Sequence, residues 1–189
     1  MIRKLSMGSA IKKSIPLSLG ILTLLVCGIV THGQERDYLT DAELDVIRES
    51  QRIDERIAAL VKAIERRMEM LTGIKTAQKE KDESRWGPMP TGSRLDLLRD
   101  IERLVTKAVS DIDDVAERDG GSDVFSIAVR KLSASCSTLV PRWEKIVDQS
   151  TDEKEKGLMS RAAGICADVI DAEKRLPAPP DNQVKKKPR

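Results

Sequence analysis

Aromatic side chains are nearly missing from this chain: Tyr38, Trp86, Phe125 and Trp143 are the whole set in 189 residues. Strands draw on aromatic and β-branched residues in alternation, and no segment shows that pattern, so a sheet-based fold is excluded. Histidine is scarcer still, with His32 alone. Uncharged stretches are also rare, and the one long example stands at the N-terminus.

That stretch reads as a targeting segment. Arg3, Lys4, Lys12 and Lys13 make a basic front, and no charged residue follows from Ser14 to Gln34. The apolar run Ile15 to Val30 has 16 residues, short for a spanning helix and right for a secretory core. Thr31 and Gly33 offer small residues at both cleavage positions, so residues 1–33 are expected to be a signal peptide cut after Gly33. The alternative is an uncleaved anchor formed by residues 15–30 in the inner membrane. Cys27 does not suit a lipoprotein site, because Val26 precedes it where a small residue is wanted.

Cutting there removes His32, so the mature chain would contain no histidine. Ser-His-Asp and Cys-His catalysis, histidine metal sites and histidine proton shuttles are then all excluded. Four of 33 basic residues leave with the leader, giving 29 against 31 acids, a net charge of −2. The last residues, Lys185, Lys186, Lys187 and Arg189 against Asp181, carry +3, so the body 34–176 holds −5. An acidic body argues against nucleic acid as a partner, since phosphate binding needs clustered cations.

Charged residues reach 34% and are interleaved with Leu, Ile, Val and Ala at helical spacing. The expected fold is therefore all-α, an antiparallel bundle of about four helices over residues 34–176, with a coiled-coil-like seam. The first helix is expected over 41–72. Thr40 and Glu43 form a capping box, Leu39 staples onto Leu44, and Gly73 stops it. Its stripe Ile57, Val61, Ile64, Met68, Leu71 steps by 4, 3, 4, 3, interrupted earlier by Ser50, Gln51 and Asp54. That early half is expected to overhang the bundle in solvent or to meet a partner. Asp45–Arg48, Glu49–Arg52 and Lys62–Glu65 are i,i+3 pairs of a solvated face, worth about 0.2–0.5 kcal/mol each.

Residues 74–92 form a charged linker ending in Trp86-Gly87-Pro88-Met89-Pro90, which cannot continue a helix. Trp86 either folds back onto the core or stands available to a ligand; folding back is the expectation. The second helix, 93–119, opens on Ser93 with Asp96 and buries Leu98, Ile101, Val105, Ala108, Ile112 and Val115. Asp111, Asp113 and Asp114 near its end are a candidate weak cation site, against the commoner role of solvated acids. The third, 122–148, buries Phe125, Ala128, Leu132, Cys136, Leu139, Trp143 and Ile146, and Pro141 predicts a kink near Ser137. The fourth, 151–176, opens on a capping box from Ser150 to Glu153 and buries Leu158, Ala162, Ile165, Val169, Ala172 and Leu176. Pro177 ends it, and 177–189 reads as a disordered Pro- and Lys-rich tail.

Cys136 and Cys166 are the disulfide candidates. They lie 14 residues before and 16 after a turn centred on Ser150, a mismatch of about 3 Å along an antiparallel hairpin. Axes about 8–10 Å apart would strain a bridge that needs Cα atoms within about 7 Å. Ser133, Ala134 and Ser135, level with Gly164 and Ala167, would allow a closer approach. The other reading is two buried thiols serving as small apolar residues.

The segment Leu39-Thr40-Asp41-Ala42-Glu43 with Ile47-Arg48-Glu49-Ser50-Gln51 resembles exported all-helical bacterial proteins that have no known activity. It is similar, more loosely, to periplasmic chaperones and stress sensors marked by Leu-Thr-x-x-Gln repeats, with Glu43 in place of Gln and a single copy. The leader implies a periplasmic or extracellular location, and the resemblance brings no known activity with it. The expected function is a non-enzymatic exported protein that binds protein or cell-envelope components, touching membrane only through an uncleaved N-terminal segment. The alternative is a hydrolase of an envelope glycan working through two carboxylates alone. No catalytic residue, cofactor or metal ligand is expected; Met68, Met70 and Met159 read as core filler.

Overall fold

The computed structural model describes residues 36–74 and 83–177. The expected leader and anchor, the first half of the charged linker and the tail beyond Pro177 lie outside the described residues. All described elements belong to one compact unit, Asp37–Arg189. They are helices: α1 (Asp41–Glu49), α2 (Ile53–Thr72), α3 (Glu83–Trp86), α4 (Arg94–Asp119), α5 (Asp123–Gln149) and α6 (Glu153–Glu173). There is no strand among the described residues, and no described helix is long and apolar enough to cross a membrane.

Six helices stand where about four were expected, because the first one breaks in two and the four-residue α3 forms within the linker. Thr40 caps α1 through the Glu43 amide, and Glu43 returns the bond to the Thr40 amide at 3.0 Å. After Glu49 the chain leaves helical dihedrals at Ser50 (ψ 88°) and re-enters at Ile53, with extended Arg52 capping α2 without a side-chain bond. The Ser50 hydroxyl donates to the Val46 carbonyl, and Arg56 donates to the carbonyl of Ser50. α1 then doubles back along α2. Were the two continuous, the 24 residues from Glu43 to Arg67 would span about 36 Å, yet these side chains touch. Gly73, at φ 68°, closes α2 in the left-handed conformation.

The four long helices enclose one core. α2 packs on α4 and α5, and α6 packs on the same two. Ion pairs give their directions. Asp54–Lys131 and Glu65–Arg142 share a separation of 77 residues, so α2 and α5 run parallel. Arg94–Glu155 and Glu102–Arg161 make α4 and α6 parallel too. α5 and α6 form an antiparallel hairpin, with Ser133 bonded to Glu173 near its open end and Ser150 to Glu155 near its turn. α4 and α5, although joined by a short turn, share the smaller contact. Two of the four side-by-side pairs are therefore parallel, unlike a strictly antiparallel arrangement.

The long-helix stripes bury largely as spaced. Leu98, Ile101, Val105, Ala108 and Ile112 of α4 are buried, as are Leu132, Cys136, Leu139, Trp143 and Ile146 of α5. Val115 and Phe125 pack on the core from its edge. On α2 the buried face is broader than one stripe, taking in Ala59, Leu60, Ala63, Arg66 and Arg67, because α1, α4 and α5 approach from three sides. α5 carries Pro141 on its exposed side without ending.

Local expectations fail where a tertiary partner outbids a neighbour. Glu49 pairs with Arg85 and Glu65 with Arg142, not with Arg52 and Lys62. The cap of α6 is Asp152, which accepts from the Lys154 amide. Ser150 instead ends α5, and its hydroxyl donates to Glu155, itself held by Arg94. Asp54, read as part of a solvated interruption, is buried.

Candidate functional site

The densest chemistry in the described residues is a buried group of four charges where α1, α2, α4 and the loop after α3 meet. Glu43 is 0%, Arg67 1%, Asp100 2% and Arg66 5% exposed. Both Arg67 terminal nitrogens fork onto Glu43, at 2.6 Å to Oε1 and 2.7 Å to Oε2. The same nitrogens reach the Ala63 carbonyl at 2.9 Å and the Tyr38 carbonyl at 2.5 Å. Asp100 Oδ2 lies 3.7 Å from Arg67 Nε. Arg66 Nε lies 3.0 Å from Glu43 Oε1, and its outer nitrogen donates to the carbonyls of Gly87 and Pro88. The Arg66 guanidinium also stands 5.8 Å over the Trp86 ring.

The arrangement is balanced, two cations against two anions, as burial of charge demands. Glu43 Oε1 serves both arginines, while Oε2 serves Arg67 and the Thr40 amide. Three of those contacts are hydrogen bonds and the Arg66 Nε contact is an ion pair, so the carboxylate is committed to protein groups. The cluster is a clasp, fastening α1 and the Trp86 loop onto α2 and α4. Trp86 is buried, folded back onto the core. Gly87, at φ 61°, lets the loop backbone press on α1, since a Cβ there would meet the Ala42 Cβ at 2.8 Å.

The other buried acids each have a cation. Asp54 is held by Lys131 at 3.0 Å and by Arg52 at 3.1 Å. Burial pushes its carboxyl up, but the hydrogen bond and charge of Lys131, with Arg52 beside it, outweigh burial and hold it below its ordinary value. Asp111 is paired with Lys107, and Glu155 with Arg94. The structure separates the aspartates proposed as a cation site: Asp111 is buried against Lys107, while Asp113 and Asp114 are exposed. No group of acids, cysteines or histidines among the described residues could hold a metal.

Cys136 and Cys166 are joined as a disulfide between α5 and α6, with Cα atoms 5.3 Å apart and both residues buried. Of the small residues expected to provide the close approach, only Ser133 is buried in the seam. Ala134, Gly164 and Ala167 are exposed, and the small side chains in the seam are Ser133, Ala162 and the cysteines themselves.

Sequence reasoning missed the clasp, although it left a signal. Arg67 falls three residues after Ile64 and four before Leu71, and Asp100 three after Leu97 and four before Leu104. Each is a charge set on an apolar stripe, which is tolerated only with a buried partner. No protein-family model, curated protein or solved structure matches the chain.

Proposed function

We propose that this is an exported, non-enzymatic helical-bundle protein, with a coiled-coil-like seam, that binds protein or cell-envelope components in the periplasm or outside the cell. The N-terminal sequence 1–33 supports export, and a buried disulfide suits an oxidising compartment. The observation that carries the non-enzymatic reading is that each buried carboxylate is engaged by a cation: Glu43, Asp54, Asp100, Asp111 and Glu155. A glycan hydrolase needs two acids facing one bond, with one kept protonated by its surroundings. The Asp54 carboxyl is displaced toward the ionised form by its cations.

Binding has a suitable surface at the end of α2, where Met70 in its last turn and Ile74 just beyond Gly73 are exposed. Arg66, one turn before Met70, grips the carbonyls of Gly87 and Pro88 and so brings exposed Met89 to the same end. The test is in-cell crosslinking from a photoreactive residue at Met70 or Met89, with Glu117 as a distant control. Capture of one envelope component from the first two positions supports the reading. No capture, together with measurable turnover of an envelope glycan, would replace it with the hydrolase.

A further inference from the structure

We infer that α1 is an exchangeable arm, and that a second copy of this chain can supply the Glu43 that fills the Arg66–Arg67 clasp. Three observations lead there, and none depends on the proposed function. First, nothing local forces the turn between α1 and α2. Ser50, Gln51 and Arg52 include neither proline nor glycine, and glutamine and arginine are good helix formers. The chain can equally form one helix from Asp41 to Thr72. Second, α1 has nine residues, too few to hold a helix alone, so its place is set by docking. Third, its docking groups lie on α2, α3 and the loop after it, Glu43 on Arg66 and Arg67, Glu49 on Arg85 and Ala42 against Gly87, and Tyr38, which travels with α1, adds contacts to Arg67 and to Arg103 of α4.

Straightening the hinge carries Glu43 about 36 Å from its own Arg67 along the helix axis. Two straightened copies lying antiparallel about a two-fold axis restore both clasps at once. The register that sets one Glu43 beside Arg67 of the second copy sets the reciprocal pair as well, which is the closure a two-fold interface requires. The buried contacts are the same in both forms, so the balance rests on the hinge. In the closed form Arg56 bonds to the Ser50 carbonyl; in the exchanged form that bond gives way to continuous helix. Short hinges of this kind are where exchange between copies arises.

The test uses the full chain in the form that cells produce from it. In S50A/Q51A/R52A the hinge favours helix, and light scattering after size exclusion is expected to show a dimer fraction several-fold above the wild type. Inserting four glycines after Ser50 should return the chain to monomer. To separate exchange from any other dimer, E49R and R85E are combined after unfolding and refolding together, with and without the hinge substitutions. Both positions are exposed, so folding does not depend on them. Only an exchanged heterodimer matches charge at both sites, and native mass spectrometry should find it enriched about two- to tenfold over the statistical share. A hinge variant that stays monomeric at every concentration, or dimers that mix statistically, would overturn the inference.

Discussion

Lys131, near the middle of α5, reaches back to Asp54 in the first turn of α2 and holds its carboxylate at 3.0 Å. Burial alone would raise the Asp54 carboxyl, yet Lys131 and Arg52 together hold it below its ordinary value. A carboxyl lowered on folding stabilises the fold above its unfolded value near 3.9, and that contribution is lost as pH falls through the folded value. D54N should therefore cost about 1–2 kcal/mol at pH 7, allowing for the partly exposed lysine. The difference from wild type should shrink as pH is taken below 4. Urea melts from pH 2 to 7 check this; a pH-independent difference would contradict it.

Glu43 faces two arginines with almost no solvent on any of them. Removing its charge leaves cations in a dry site, which typically costs about 3–5 kcal/mol. E43Q is expected to lose that much in urea unfolding. E153Q, on the exposed partner of Lys156, should change stability by less than about 0.5 kcal/mol. Similar losses in the two variants would show that the clasp does not hold α1.

The disulfide closes a loop with a sequence separation of 30. Loop-closure entropy gives about 3–4 kcal/mol for that length. C136S/C166S, or reduction, should lower stability by that amount without changing helix content by circular dichroism. The natively produced protein should take up no thiol reagent at either position until it is unfolded and reduced. Labelling of both cysteines in the native protein would show two free thiols.

What the sequence made legible follows the range of each interaction. The long helices and the caps at Thr40 and Ser93 depend on residues within four positions, and they stand where spacing put them. The break at Ser50–Arg52 was not legible, because those residues accept helix and the turn is held from outside by Arg67, Arg85 and the Trp86 loop. Glu49 and Glu65 had suitable local partners but took Arg85 and Arg142, whose positions only the packing decides. The same holds for the parallel course of α2 and α5. Arg67 and Asp100 were legible as anomalies on apolar stripes, but nothing in the pattern pairs one with the other or either with Glu43.

Gly87 and Ala42 provide the most local test of how α1 is seated. A side chain at Gly87 meets two separate penalties. Its φ of 61° costs a non-glycine residue about 1–2 kcal/mol. The added Cβ would also lie 2.8 Å from the Ala42 Cβ, a contact that must be relieved by moving α1 or the loop, at about 1–3 kcal/mol. G87A should therefore destabilise by about 2–5 kcal/mol. A42G removes the obstructing carbon and by itself costs about 0.5–1 kcal/mol in helix propensity. In the double variant the steric penalty vanishes while the backbone penalty and the helix cost remain. The cycle should then show a favourable coupling of at least about 1 kcal/mol, measured as the departure from additivity in urea melts. Strict additivity would mean that the loop after α3 yields without strain and does not bear on α1. Coupling of the expected sign would locate the pressure on α1 at this contact, independently of the charges on either side of it.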